Sequence, residues 1–142
     1  MSASVDSLAQ PKLRFAWLWW AFGWVLIVAT ITESLKPKVL LEGVASDKAL
    51  HFLGYFALAM WFGGVCRRSR YLIVGTLLIA LGGALEIGQG VMNIGRMADW
   101  RDFVANSLGI ATGLAVCAIG IGQWMVWIEG LLRPKKKATE IE

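Results

Sequence analysis

Asp47, His51 and Tyr55 recur every four residues in an apolar stretch, Glu86 and Gln89 stand three apart in a second, and Asp102 and Asn106 four apart in a third. At helical spacing each set stacks on one face. With Arg96 and Lys48 alongside, the group holds a ring that titrates near neutrality, carboxylates and two cations. Such a set can bind an anion or move a proton. An ionisable group in a membrane-spanning helix costs about 2.5 to 3.5 kcal/mol at the centre, so these residues are expected to face protein or water and to mark a working site.

Glu86 is the strongest single candidate, because Leu85 and Ile87 flank it in a helix that has no other ionisable group. His51 and Glu86 are the expected proton-handling pair. Asp47, Lys48, Tyr55, Gln89, Arg96, Asp102 and Asn106 are the expected ligand-binding groups. Gln89 is expected to orient Glu86, and Tyr55 to donate a hydrogen bond at the pocket floor. Asp99 and Arg101 read as loop surface, and Asp102 and Asn106 suit either a helix cap or a site lining. A metal set drawn from His51, Glu86 and an aspartate is disfavoured because Arg96 nearby would repel a cation. Neither metal nor cofactor is therefore expected.

The elements that position these residues follow from hydropathy. The 142 residues are 57% hydrophobic, with a mean hydropathy of +0.60, outside the range of soluble domains. A hydrocarbon core roughly 30 Å thick needs about 20 mostly apolar residues per helix. Four stretches qualify: 15–32, 49–66, 71–90 and 103–127. They lack the alternation of barrel strands, so the expectation is an all-α, four-helix transmembrane bundle in one domain, 15–132, between an N-terminal tail, 1–14, and a basic tail, 133–142. The first apolar run is longer than a signal-peptide core, and no small-x-small cleavage site precedes Glu33, so it is expected to stay as a membrane helix.

Lysine and arginine set the orientation. Lys12 and Arg14 precede the first helix, Arg67, Arg68 and Arg70 fill the second connection, and Arg133, Lys135, Lys136 and Lys137 follow the fourth. The opposite loops mix signs: Glu33, Lys36, Lys38, Glu42, Asp47 and Lys48 in one, Arg96, Asp99, Arg101 and Asp102 in the other. Both termini are then cytoplasmic and the polar cluster lies under the outer surface. Trp17, Trp19, Trp20, Trp61, Trp124 and Trp127 fall in the cytoplasmic half, where indoles anchor helices. The net charge of +4 comes largely from the inside clusters, which speaks for insertion polarity and anionic headgroups and against nucleic acid. Cys66 and Cys117 read as buried apolar residues. No Walker loop, dinucleotide fingerprint, nucleophile elbow or HExxH motif occurs. Gly109 and Gly113 continue the Asp102–Asn106 stripe as a small-xxx-small pair that draws another helix close and gathers the polar tops.

SDKALHFLGYFALA, then LEIGQ, then GRMADWRDFVANSLGIATG, resembles the VanZ-like membrane protein family over residues 46–113. The marks of that family match Asp47, Lys48, His51, Glu86, Gln89, Arg96, Asp102, Asn106, Gly109 and Gly113. Many relatives carry a proline shortly before the arginine, where this chain has Met92, Asn93, Ile94 and Gly95. The resemblance implies a multi-pass protein of the bacterial cytoplasmic membrane working in the cell envelope. The founding member of the family is associated with reduced susceptibility to teicoplanin, a glycopeptide that acts on cell-wall precursors. The expected function is a polar pocket at the outer leaflet that binds an anionic envelope lipid or a lipid-linked cell-wall precursor headgroup. The alternatives are a membrane enzyme acting on a lipid-linked phosphate and an accessory subunit of a larger membrane complex. The expected partners are membrane lipids, such a precursor, or that complex.

Overall fold

The computed structural model describes residues 13–35, 47–92 and 98–132. Lys12, Lys36, Lys38, Glu42, Arg96 and the basic run 133–137 lie outside the described residues, as do the whole of the C-terminal tail and all of the N-terminal tail but residues 13 and 14. The protein is all-α: α1 (Ala16–Ser34), α2 (Asp47–Val65), α3 (Tyr71–Met92), α4 (Trp100–Ala118) and α5 (Trp124–Leu131). The three prolines, Pro11, Pro37 and Pro134, all stand outside these helices, so no backbone donor is lost within one.

α2 is the central element and packs most closely on α4, with α1, α3 and α5 around it. Tyr55, Leu58, Ala59 and Phe62 of α2, with Cys66 just beyond it, meet Val74 and Leu78 of α3 and Ile110 of α4, with Trp20, Leu26, Ile27 and Leu114 packed against them. The seam between α2 and α4 is made by the expected glycines. A methyl on Gly109 would run into the backbone of Phe52 and Phe56, and one on Gly113 would stand 2.8 Å from Phe56 O and from the Ala59 methyl. The absence of a side chain there is what lets two backbones touch.

Outside this core the surface is apolar. Trp17, Trp24, Val25 and Val28 of α1, Leu72, Leu77, Ile87 and Val91 of α3, and Leu108 of α4 are all exposed. A face of this kind suits hydrocarbon rather than water. α1 and the segment Arg68–Met92 are long and apolar enough to cross a membrane, and a bent pair, Trp100–Ala118 with Ile121–Leu131, makes a third candidate. These features suggest a membrane protein.

The fourth segment departs from the sequence expectation of one helix over 103–127. α4 stops at Ala118, Gly120 takes φ 130°, and the chain resumes through a short turn at Ile121–Gln123 into α5, bent by 79° from α4. Gly120 supplies a left-handed backbone that L side chains rarely adopt. Gly122 then lets the turn press on Tyr71 and on the carbonyl of Cys117. Apolar composition is blind to such a break. At about 1.5 Å per residue α4 alone is about 28 Å long, close to the thickness of a bilayer core.

Candidate functional site

The N-terminus of α2, the C-terminus of α3 and the N-terminus of α4 meet at one end of the bundle, and their polar side chains meet there with them. His51 of α2 is the hub. Its Nδ1 lies 3.1 Å from Asn106 Oδ1 on α4, and since that oxygen only accepts, the ring nitrogen donates. The same nitrogen lies 3.8 Å from Glu86 Oε1 of α3, and Nε2 lies 3.8 Å from Asp102 Oδ2 of α4. The His51 side chain is 10% exposed and that of Asp102 9%, while Glu86, Gln89 and Asn106 are buried. Lys48 closes the mouth, its ammonium 3.4 Å from both Asp99 Oδ2 and Asp102 Oδ1. Tyr55, one turn inward of His51, is fully packed, and its hydroxyl receives and gives no hydrogen bond among the described residues. It sits beside Gly82, where the Asn106 amide also arrives.

The structure therefore brings together Asp47, Lys48, His51, Tyr55, Glu86, Asp102 and Asn106. Arg96 lies outside the described residues. Gln89 does not orient Glu86 as expected. Its Nε2 donates instead to Ser34 O at 2.8 Å, tying the end of α3 to the last turn of α1. Asp99 lies on the surface just before α4, its side chain 36% exposed, and does more than fill a loop. Its Oδ1 accepts from Arg101 N at 2.9 Å and caps α4, while its own N–H approaches Glu86 Oε2 at 3.4 Å. The Arg101 N–H, reinforced by the Lys48 ammonium, holds the Asp99 carboxyl below the usual carboxylate range. Because Asp99 takes the cap, Asp102 and Asn106 are released to line the site. The readable signal was an aspartate immediately before the apolar period of α4. Arg101 turns away onto the Trp100 ring.

Among the described residues this pocket is acidic. Asp47, Glu86, Asp99 and Asp102 gather around Lys48 and the imidazole, near the positive ends of α2 and α4, which favour carboxylates. His51, flanked by two carboxylates, can hold or pass a proton.

At the opposite end lies a further buried carboxylate that the sequence reading did not single out. Glu129 of α5 accepts from Arg14 N (2.7 Å), Phe15 N (3.0 Å) and Trp19 Nε1 (2.8 Å), so it ties the chain entering α1 to α5 from more than a hundred residues away. The isolated acid in the apolar run 124–132 was the signal. Beside it the rings of Trp19, Trp61 and Trp124 lie 5.5 to 5.8 Å apart, and Trp61 and Trp124 donate to Trp19 O and Met60 O. These three tryptophans are packing residues, whereas Trp17 and Trp127 remain exposed, as anchors would be. Cys66 and Cys117 are free and buried.

Comparison with protein-family models, with curated proteins and with solved structures finds no match to this chain.

Proposed function

We propose that this chain is a VanZ-like protein of the bacterial cytoplasmic membrane, with four membrane segments and both termini inside, and that its outer-leaflet pocket binds the headgroup of an anionic envelope lipid or lipid-linked cell-wall precursor. The observation that carries this reading is the convergence of His51, Glu86, Asp102 and Asn106 from three helices at separations of 3.1 to 3.8 Å. Polar contacts between membrane helices contribute only about 0.6 kcal/mol on average, too little for packing alone to account for four carboxylates and a histidine in one place. The end bearing Arg67, Arg68 and Arg70 is the cytoplasmic one by the distribution of positive charge. The pocket then opens on the other side. α5, bent away from α4 and followed in sequence by Arg133 to Lys137, suits a helix lying along the inner surface with its exposed Trp127, Leu131 and Leu132 in lipid.

The test is purification in mild detergent with co-purifying lipids identified by mass spectrometry, for the unaltered protein and for Lys48→Ala, His51→Ala and Glu86→Gln. Enrichment of one phospholipid or precursor, lost in variants that accumulate and melt normally, supports binding. Equal lipid profiles in all four proteins refute it. Loss of all three variants from the membrane favours the accessory, structural role. His51 between two carboxylates also supports an enzyme on a lipid-linked phosphate. That reading requires the enriched lipid to change mass on incubation with the protein and not with Glu86→Gln.

A further inference from the structure

We propose that the pocket holds a divalent cation on Asp47, His51 and Asp102. One ligand atom from each of these side chains lies within 4.8 Å of the others. Two ligands on one ion stand at most about 4.4 Å apart, twice a bond of about 2.2 Å, so small side-chain rotations close the set.

The stronger argument is what the atoms present to one another. With Nδ1 on Asn106 Oδ1, the other ring nitrogen, Nε2, is directed toward Asp102 Oδ2, 3.8 Å away. A metal ion seated between these two atoms would be bound by both. The second oxygen of Asp102 is buried and accepts no hydrogen bond among the described residues. Its neighbour is the Lys48 ammonium at 3.4 Å. A histidine that donates through one nitrogen to a carbonyl oxygen and offers the other to an ion is the usual support of a metal ligand, with Asn106 as the orienting group. One imidazole and two carboxylates suit Mn2+ or Zn2+.

The expectation that no metal binds rests on repulsion from Arg96. Among the described residues Asp47, Glu86, Asp99 and Asp102 surround the pocket, and the Lys48 ammonium, on a half-exposed stem, reaches Asp99 and Asp102. Lys48 and a metal ion then compete for Asp102. The ion would also serve the headgroup, because a divalent ion joins carboxylates to a phosphate oxygen while the Lys48 ammonium contacts the same anion. That bridging role rests on the headgroup reading above; the ion site itself does not.

The experiment titrates the full chain, stripped with a chelator and held in detergent micelles without added lipid, with Mn2+ followed by electron paramagnetic resonance and Zn2+ by calorimetry. One ion per chain is expected. Asp102→Asn and His51→Gln should weaken binding about tenfold or more, Asn106→Ala about tenfold through lost orientation, and Lys48→Ala should tighten it. Metal-free melting curves identify any variant that fails to fold. Lys48→Ala, at the exposed mouth, keeps the test decisive if the buried variants do fail. The proposal is overturned if neither the unaltered protein nor Lys48→Ala takes up Mn2+ or Zn2+ saturably, or if uptake is unchanged in folded Asp102→Asn and His51→Gln. Ion binding without headgroup enrichment would sink the headgroup reading alone. Enrichment without ion binding would sink this one alone.

Discussion

Replacing Gly109 with alanine tests the contact that assembles the pocket. The new methyl would meet Phe52 O well inside contact distance, Phe56 N at 3.0 Å and Phe52 C at 3.2 Å. All three belong to the backbone of α2, so no side-chain rotation relieves the clash. Restoring an ordinary carbon–oxygen separation of about 3.3 Å requires α4 to retreat by roughly 1 Å. A gap of that size forfeits a quarter to a half of the dispersion energy of the contacts beside it. Overpacking costs about 1 to 3 kcal/mol, and a clash against backbone belongs at the upper end. Gly54 on α2 provides the control, since a methyl there meets nothing within 4 Å. Its replacement by alanine should be neutral or stabilising by up to about 1 kcal/mol from helix propensity. Equilibrium unfolding in mixed micelles, read by tryptophan fluorescence, should therefore separate the two variants by about 3 kcal/mol. The Gly109 variant should also lose ligand or ion affinity, because Asn106 and Asp102 retreat from His51 with the helix. If Gly109→Ala unfolds together with Gly54→Ala, the close seam does not hold the site together and the geometric reasoning fails.

Glu129→Ala should remove about 1.5 to 3 kcal/mol of stability in the same assay by leaving the Arg14 and Phe15 N–H groups and the Trp19 indole without their carboxylate; an unchanged unfolding curve would refute the cross-chain tie. Asp99 contributes stability while ionised, because its carboxyl is held below the ordinary range. That contribution is present above the ordinary carboxylate pKa and lost as pH falls through the lowered value. The Asp99→Asn variant should accordingly show a shallower acid loss than the unaltered protein, measured as the difference between their melting temperatures from neutral to acid pH. Ser69→Cys, exposed in the turn between α2 and α3, should react with an impermeant maleimide only when the cytoplasmic face is opened, with buried Cys66 and Cys117 silent. Labelling in intact cells would invert the proposed topology.

Local pattern was sufficient for much of this protein. Helical spacing put Asp47, His51 and Tyr55 on one face and aligned Asp102, Asn106, Gly109 and Gly113 down another. The apolar runs located α1, α2 and α3 to within a few residues, because the backbone of an apolar segment must satisfy itself wherever it packs. Gly109 and Gly113 were legible as a close contact because only the smallest side chains allow one. Three features were not legible. The break at Gly120 depends on a dihedral angle that hydropathy does not report, and the bend that follows it carries Glu129 back to the start of α1. Gln89 turned to Ser34 rather than to Glu86 because α1 ends beside it, a neighbour known only once the chain has folded. Asp99 joined the site because its side chain caps α4 while its N–H reaches Glu86 on another helix.

Sequence by itself determined which residues are too polar to face lipid and which face of each helix they share, since both depend on side-chain chemistry and the helical repeat alone. Tertiary structure alone decided which of them meet. Distances such as the 3.8 Å between His51 Nε2 and Asp102 Oδ2 arise from how tightly two helices approach and how each is rotated about its axis, quantities set by the packing of the whole bundle rather than by any segment of it.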